Sequence, residues 1–220
     1  MKIAILGSGM VGNTLGAKLV QIGHQVMMGS RTANSEAGRK WLASVGGKAQ
    51  IGTFTEAAQF GDIVINCTNG AKSLEALRQA GAMNLRGKIL IEVSNPLDFS
   101  KGMPATLTVC NTDSLAEQIQ REFPDALVVK ALNTVNCLVM VEPTLVPGDH
   151  NLFVAGNDAG AKAKVIGYIS EWFGWKSSNI IDLGDIKAAR GMEMWMPLWL
   201  SMMGKFGHPK FNLRIVTATK

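Results

Sequence analysis

At 220 residues, with 47% hydrophobic and 18% charged residues, the chain is large and apolar enough to bury a full core, which excludes an intrinsically disordered protein. The net charge of +5 suits an anionic ligand, but no run of Lys or Arg and no RNA-binding aromatic motif occurs, so no nucleic-acid partner is expected. The 3 Cys and 3 His residues are scattered, which favours free thiols in a reducing cytoplasm over a disulfide framework or a metal site.

Short apolar runs bounded by turn residues predict β-strands, and helical patterns lie between them. The predicted strands are 3–6, 25–29, 62–67, 88–93, 126–132 and 151–156. The predicted helices are 11–22, 35–45, 71–80, 113–122 and 158–173. Continuous apolar strands that alternate with helices are typical of a parallel sheet covered on both faces. We therefore predict an α/β fold, a doubly wound, mostly parallel Rossmann sheet with a small C-terminal helical extension, in which ligands bind beyond the carboxyl ends of the strands.

A glycine motif follows the first predicted strand. Residues 2–12 read KIAILGSGMVG, in which Gly7, Gly9 and Gly12 have G-x-G-x-x-G spacing and precede a predicted helix. The first glycine permits a tight turn, the second lets the backbone approach phosphate groups, and the third lets the helix pack closely on the strand. A strand-turn-helix without a ligand is the alternative. The motif predicts a dinucleotide whose pyrophosphate faces the uncapped N–H groups of the helix start.

The end of the second predicted strand indicates which dinucleotide binds. A site that prefers NAD usually has Asp or Glu about 20 residues past the glycines. Here the sequence has Ser30, Arg31 and Thr32 and no carboxylate. A guanidinium binds phosphate oxygens in a forked geometry, whereas a carboxylate would repel a 2′-phosphate. These residues therefore predict NADP, with a solvated loop arginine as the alternative.

Polar clusters follow three further predicted strands. Thr68 and Asn69 come after the run 62–67, Asn95 and Pro96 come after 88–93, and the run 126–132 is followed by Asn133, Thr134 and Val135. Each cluster is also compatible with ordinary turn chemistry. Three of them at successive strand ends, beside a nucleotide motif, predict a pocket for a nicotinamide and an acceptor, with Asn69, Asn95 and Asn133 offering amides and Thr68 a hydroxyl.

The alternation of strands and helices ends near Gly184. We predict a Rossmann domain over residues 1–183 and a C-terminal extension over 184–220 that forms a pocket wall or a dimer contact. Residues 191–204, GMEMWMPLWLSMMG, are very apolar but too short for a bilayer-spanning helix, which needs about 20 apolar residues. Core or a subunit interface, a wall over a flat ring, or contact with a membrane surface all fit this segment. Residues 211–216 alternate like an edge strand.

No catalytic acid is identified from the sequence. The single tyrosine, Tyr168, has Trp172 four residues later instead of the Lys that short-chain reductases use. None of the His residues falls in the strand-end clusters. Hydride transfer from a nicotinamide to a flavin or deazaflavin ring needs chiefly stacking and orientation, because the acceptor ring delocalises the charge. The absence of an acid therefore favours ring-to-ring transfer.

Several segments together resemble a known family. GSGMVGNTLGAKLVQIGHQVMMGSR, DIVINCTNG, ILIEVSNPL, VVKALNTV and IDLGDIKAAR occur in this order. They resemble the NADPH-dependent F420 reductases (F420H2:NADP oxidoreductases) and the cytosolic NADPH domain of the STEAP metalloreductases, over about residues 1–216. The resemblance implies an often dimeric protein that moves hydride between NADP(H) and the deazaflavin coenzyme F420.

The resemblance also implies residue roles. Gly7, Ser8, Gly9, Met10 and Val11 would hold the pyrophosphate, Ser30, Arg31 and Thr32 the 2′-phosphate, and Thr68, Asn69, Asn95 and Pro96 the nicotinamide side.

The identity of the acceptor stays open at the sequence level. Archaeal F420 enzymes carry a His that contacts the deazaflavin, at the position where this chain has Asn133, as the metalloreductases do. F420, a free flavin such as FMN or FAD, and another acceptor remain alternatives. A second function class is an NADP(H)-sensing module that biases a partner surface without turnover, which the missing acid and the apolar C-terminal segment also fit.

Overall fold

A computed structural model of the chain describes residues 1–218. Its centre is an eight-stranded sheet with the order β10-β9-β8-β5-β4-β1-β2-β3. The strands are β1 Lys2–Leu6, β2 Gln25–Ser30, β3 Ala49–Thr53, β4 Ile63–Asn66, β5 Ile89–Glu92, β6 Leu97–Asp98, β7 Thr106–Leu107, β8 Leu127–Ala131, β9 Leu152–Gly156 and β10 Ile180–Asp182. β9 is antiparallel to β8, the other pairs of this sheet are parallel, and β6 and β7 form a separate antiparallel pair.

Helices cover both faces of this sheet. They are α1 Met10–Gln21, α2 Glu36–Val45, α3 Phe54–Phe60, α4 Ser73–Ala80, α5 Ala82–Leu85, α6 Leu115–Glu122, α7 Cys137–Val141, α8 Ala159–Phe173 and α9 Ala189–Phe206. Short 3-10 turns occupy Gly70–Lys72, Pro143–Leu145, Ser177–Asn179 and Ile186–Ala188. The predicted fold class, a doubly wound and mostly parallel α/β sheet with a C-terminal helix, is confirmed.

Alternation along the strands divides the core into two layers. Ile3 and Ile5 of β1 face a layer that includes Leu15 and Leu19 of α1. The intervening Ala4 belongs to the opposite layer, which is formed with α3, α4 and α6. Because both faces are closed by helices, the carboxyl edge of the sheet is where the strand-end loops converge. None of the helices within residues 1–218 is both long and apolar enough to cross a membrane.

Some elements have no counterpart among those predicted from the sequence, namely the strands β3, β6, β7 and β10 and the helices α3, α5 and α7. α9 corresponds to the predicted C-terminal helical extension. α9 continues through Pro197, although Pro lacks the N–H that would bond the carbonyl of Glu193 one turn earlier.

The prediction of an edge strand over 211–216 is wrong. This segment has no regular structure. It is fixed instead by Asn151, whose N–H donates to Leu213 O at 3.0 Å and whose Oδ1 accepts from Ile215 N at 2.8 Å. Asn151 directly precedes β9, and both edges of β9 are already paired, with β8 and β10. The segment therefore cannot join the sheet there.

Candidate cofactor and acceptor site

The glycine loop has the backbone geometry that the motif predicts. Gly7 has a φ of 109°, and a Cβ there would lie 2.8 Å from Cys67 O. A Cβ at Gly12 would lie 2.0 Å from Gly7 O, so any side chain would force α1 away from the loop. At Gly9 a Cβ would meet nothing within 4 Å. Gly7 and Gly12 are thus required by the fold itself, whereas Gly9 borders open space.

The start of α1 beside Gly9 suits an anion. Gly9 is the N-cap and provides no side-chain hydrogen bond, and the first turn holds no acidic residue. The N–H groups of the first turn therefore keep their hydrogen-bonding capacity and their partial positive charge. An open glycine edge and an uncapped helix start are the features that fit a dinucleotide pyrophosphate.

The loop after β2 lies beside this turn. The Gly7 N–H donates to Gly29 O at 2.9 Å, which joins the ends of β1 and β2. Ser30 Oγ donates to Thr32 O at 2.7 Å and contacts Ser35 Oγ at 3.0 Å, so its hydroxyl is used within the loop. Arg31 is exposed and forms no ion pair or side-chain hydrogen bond with any residue in 1–218. Its guanidinium is available to a ligand.

A cavity of about 280 Å³ lies at the carboxyl ends of the strands. Seven of the predicted site residues line it, namely Met10, Val11, Thr68, Asn69, Asn95, Asn133 and Val135. Apolar side chains of α9 form part of the lining: Met196, Trp199 and Leu200. Pro96 and Thr134 are buried outside the lining, where their carbonyls accept from Thr108 N and Trp195 Nε1. The structure thus brings the three strand-end clusters and the start of α1, directly after Gly9, to one cavity.

Two of the predicted residues also have ordinary turn roles. Asn69 Oδ1 accepts from Ala71 N at 3.0 Å, and Thr68 Oγ1 donates to Asn66 Oδ1 at 2.8 Å. Asn69 is exposed, and its amide nitrogen forms no hydrogen bond with any residue in 1–218. Residues of this loop therefore both stabilise a turn and line the cavity.

Asn95 and Asn133 form a reciprocal amide pair. Asn133 Nδ2 donates to Asn95 Oδ1, and Asn95 Nδ2 donates to Asn133 O, both at 2.9 Å. Asn133 Nδ2 also donates to Met192 O of α9 at 3.1 Å. The preceding residue, Leu132, is buried with a φ of 64°, a left-handed conformation that is uncommon for a bulky side chain. This backbone conformation orients Asn133 between the loop after β5 and α9.

A buried charged cluster that no sequence motif predicts lies beneath this pair. Lys130 Nζ lies 2.9 Å from Glu193 Oε1 of α9 and 3.8 Å from Glu92 Oε1 of β5, and it donates to Ser94 O. All three charged side chains are at most 1% exposed. The available signal was a charged residue inside each of two apolar strand runs, KILIEV and ALVVKAL.

Glu92 is held on all sides. Its carboxylate accepts from Ser94 N at 2.8 Å and from Asn66 Nδ2 at 2.5 Å. Burial nevertheless raises the pKa of Glu92 to about 7, because desolvation of the charged form outweighs the attraction of Lys130 and the hydrogen bonds. Glu92 is therefore a buried carboxyl that titrates near neutral pH.

Helix α9 is attached to the sheet through its polar groups as well as its apolar face. Glu193 accepts from Leu115 N at 2.8 Å and from Ala116 N at 3.2 Å, which satisfies two N–H groups at the start of α6. Arg190 binds Glu117 through two hydrogen bonds of 2.6 and 2.8 Å. The apolar segment 191–204 therefore lies in a helix that packs on the sheet end and forms a wall of the cavity, and its outer face leaves Met194 and Leu198 exposed.

The cavity lining contains no His, Tyr, Asp, Glu or Lys among the described residues. His150 is buried beside Trp175 and bonded to Pro143 O, His24 packs on Trp172, and His208 is exposed. The Cys67 thiol lines the cavity, but burial raises its pKa, so it stays neutral. The lining can orient ligands and exclude water, and it offers amides, the hydroxyls of Thr68 and Ser94, and thiols.

Known proteins share this sequence and fold. Residues 2–96 match the family described as "NADP oxidoreductase coenzyme F420-dependent". A crystal structure of a candidate F420-dependent NADP reductase from Arthrobacter sp. FB24 is 46% identical, with a TM-score of 0.92, over 99% of this chain and 100% of that protein. An imine reductase from Myxococcus stipitatus in complex with NADP+ is 18% identical, with a TM-score of 0.64, over 94% of this chain and 64% of that one, and this likeness shows the fold alone.

Longer proteins match as well. Metalloreductase STEAP3 of Rattus norvegicus is 30% identical over 87% of this chain and 36% of its own length. Metalloreductase STEAP2 of Homo sapiens is 27% identical over 87% of this chain and 35% of its own length. The chain thus spans about a third of the length of the metalloreductases that it matches.

Proposed function

Because the chain belongs to the coenzyme F420-dependent NADP oxidoreductase family, and is an NADP-dependent oxidoreductase, we propose that it transfers hydride between NADP(H) and a deazaflavin such as F420 or a flavin-like ring. The observation that carries this proposal is that one cavity is lined both by Met10 and Val11 at the start of α1 and by Met196 and Trp199 of α9. A donor ring held from one side and an acceptor ring held from the other would meet there.

We assign the cofactor contacts in this frame. The residues for the pyrophosphate are Gly7, Ser8, Gly9, Met10, Val11 and Gly12; those for the 2′-phosphate are Ser30, Arg31 and Thr32; those for the nicotinamide side are Thr68, Asn69, Asn95 and Pro96. When bound, NADPH supplies the hydride from its nicotinamide ring. Asn133, Thr134 and Val135 belong to the acceptor side, together with the α9 wall, so within the extension from residue 184 the acceptor-binding part is proposed to be Met196, Trp199 and Leu200.

The character of the lining supports a flat ring as acceptor. The α9 side chains Met196, Trp199 and Leu200 are apolar and pack on the cavity from one side. Such a wall excludes water and stacks on a ring but protonates nothing. A carbonyl substrate needs a proton donor at its oxygen, whereas a deazaflavin or flavin ring stabilises the added electron pair by delocalisation.

The proposal is tested by mixing the protein with NADPH and, in separate reactions, F420, FMN or FAD. The absorbance of the reduced nicotinamide should fall with the ring acceptor and should not fall with the protein and NADPH alone. Turnover should be much slower with NADH, because Arg31 then has no 2′-phosphate to bind. NADPH binding without turnover on any of the three acceptors would overturn the proposal and would favour the sensing module. A homodimer and a cytoplasmic location remain predictions.

A further inference from the structure

Two side chains at the end of β8 connect the same two walls of the cavity. Lys130 donates to Ser94 O of the loop after β5 and pairs with Glu193 of α9 at 2.9 Å. Asn133 donates to Asn95 Oδ1 of that loop at 2.9 Å and to Met192 O of α9 at 3.1 Å. Each side chain thus bridges the loop 94–95 to α9 residues 192–193. We name this pair of bridges the strand-end spacer.

The spacer is rigid and inaccessible. Lys130 is fully buried and Asn133 is 2% exposed. Glu193 is held from its other side by the N–H groups of Leu115 and Ala116, so it cannot follow a moving ammonium. A buried ion pair of this kind contributes little net stability compared with apolar packing, and its value lies in fixing one arrangement. A role in geometry therefore explains it better than a role in stability alone.

The spacer joins the two walls of the cavity that are proposed to hold the donor ring and the acceptor ring. Asn95 belongs to the nicotinamide side of the proposed site, and α9 carries Met196 and Trp199 of the acceptor wall. The separation of these two walls sets the gap between two stacked rings. Hydride transfer depends steeply on that gap, since a misplacement of about 1 Å can lower the rate about a hundredfold.

We propose that Lys130, acting through Ser94 and Glu193, is a positioning residue that sets the distance between the donor and acceptor rings, with Asn133 as the second bridge. The proposal rests on the hydride-transfer function argued above. Lys130 does not line the cavity, so it acts on the rate without contacting either ring. It differs in this from Asn133, whose substitution would also change the lining.

The test compares Lys130→Met with two matched variants. Arg190→Met removes another ion pair that ties α9 to the body, through Glu117, without reaching the loop 94–95. Lys162→Met removes another buried lysine, which bonds Asp182 and Gly184 O at the far edge of the sheet. Three quantities are measured well below the unfolding temperature: the single-turnover rate of hydride transfer, the dissociation constant of NADPH, and the isotope effect with deuterated NADPH.

Lys130→Met should slow hydride transfer at least about tenfold, raise the isotope effect and leave the NADPH dissociation constant within about twofold. Both control variants should lower the thermal midpoint while keeping the wild-type rate. Where Lys130→Met alone does not fold, the double variant K130M/E193Q removes both charges of the pair and keeps a side-chain oxygen for the N–H groups of Leu115 and Ala116. It is expected to fold and to show the same slow transfer.

The outcomes separate this proposal from the one it rests on. If none of F420, FMN and FAD supports oxidation of NADPH by the wild-type protein, both proposals are overturned. Turnover by the wild type together with a wild-type transfer rate in Lys130→Met, or in the double variant, overturns the spacer and leaves the proposed function intact. Equal slowing in Arg190→Met, or failure of both Lys130 variants to fold, would show that the pair serves general attachment of α9, which also overturns the spacer.

Discussion

The two sides of the cavity are built by different means. The cofactor side is formed mainly by backbone: Gly7 and Gly12 allow close packing of β1 and α1, and α1 starts without a side-chain cap. Its one charged side chain, Arg31, is exposed and has no ion-pair partner among residues 1–218. On the acceptor side, Lys130 and Glu193 are buried and bonded within the protein. The cofactor side therefore presents a free cation and free N–H groups to a charged ligand arriving from solvent, whereas the acceptor side pairs its charges internally. The buried atoms that it leaves without a hydrogen-bond partner in the described part of the chain belong to neutral side chains: Asn133 Oδ1, Thr134 Oγ1 and Trp199 Nε1.

Substitutions at the glycines should have the largest effects on the cofactor side, and two of them should differ in their effect on the free energy of unfolding. In Gly12→Ala the new Cβ would lie 2.0 Å from Gly7 O, so the free energy of unfolding should fall by about 3 kcal/mol. In Gly9→Ala the Cβ meets no protein atom within 4 Å, so unfolding should change by less than about 1 kcal/mol. Chemical denaturation measures both values.

The effect of Gly9→Ala on NADPH affinity should be large although its effect on stability is small. Gly9→Ala, although stable, should weaken NADPH about a hundredfold, about 2.7 kcal/mol, because its Cβ occupies the edge that the pyrophosphate approaches. Calorimetric titration of the folded variant provides the number. Wild-type affinity in Gly9→Ala would mean that the pyrophosphate does not lie against the glycine loop.

A loss of NADPH affinity of intermediate size is expected at Arg31. Arg31→Ala should weaken NADPH by about 1.5 to 3 kcal/mol, the range for a lost hydrogen bond to a charged group, and should leave NADH nearly unchanged. Arg86→Ala is the matched control, since Arg86 is exposed, pairs with Asp125 and precedes β5 at the opposite edge of the sheet. An equal loss for both dinucleotides would show that the 2′-phosphate is bound elsewhere.

The smallest effect concerns the acceptor side and depends on pH. Burial raises the pKa of Glu92 from an ordinary value of 4.5 to about 7, so between these two values folded protein holds a proton that unfolded protein has released. Stability should therefore fall as pH rises, by about 1.5 kcal/mol between pH 5.5 and 7 for one such group. The groups that face Glu92 are Lys130, Glu193, Asn66, Ser94 and Cys67.

Glu92→Gln should flatten this dependence, as measured by urea denaturation at pH 5.5, 6.25 and 7. The comparison with wild type cancels His24, whose pKa burial lowers and whose contribution to stability rises with pH in the same window. Parallel curves for the two proteins would show that Glu92 stays ionised in the folded state.

The features that the sequence predicts well are local ones. The six predicted strands correspond to β1, β2, β4, β5, β8 and β9, because each is a continuous apolar run. β3 was missed because it is a half-exposed edge strand with the sequence AQIGT, and β10 because it has only 3 residues. The reversed direction of β9 has no local signal, since an apolar run reads the same in a parallel and an antiparallel pair.

The same division applies to the candidate site. The glycine motif and Arg31 can be predicted from the sequence because they lie within about 30 residues of each other at a characteristic spacing. The convergence of Asn69, Asn95 and Asn133 could be expected from the carboxyl-edge rule. The partners Glu92, Lys130 and Glu193 come from two strands and one helix that are distant in sequence, and only packing brings them together.

Direct hydride transfer between two rings in the cavity can be followed with an isotope label. The protein is given NADPH deuterated at both positions of the nicotinamide C4, with a 5-deazaflavin as acceptor in ordinary water. The reduced deazaflavin is expected to carry the deuterium, because direct transfer moves the hydride from the nicotinamide C4 to a ring carbon of the acceptor, where the new C–H bond does not exchange with solvent. A reduced acceptor that carries only solvent hydrogen, or no reduction at all, would contradict it.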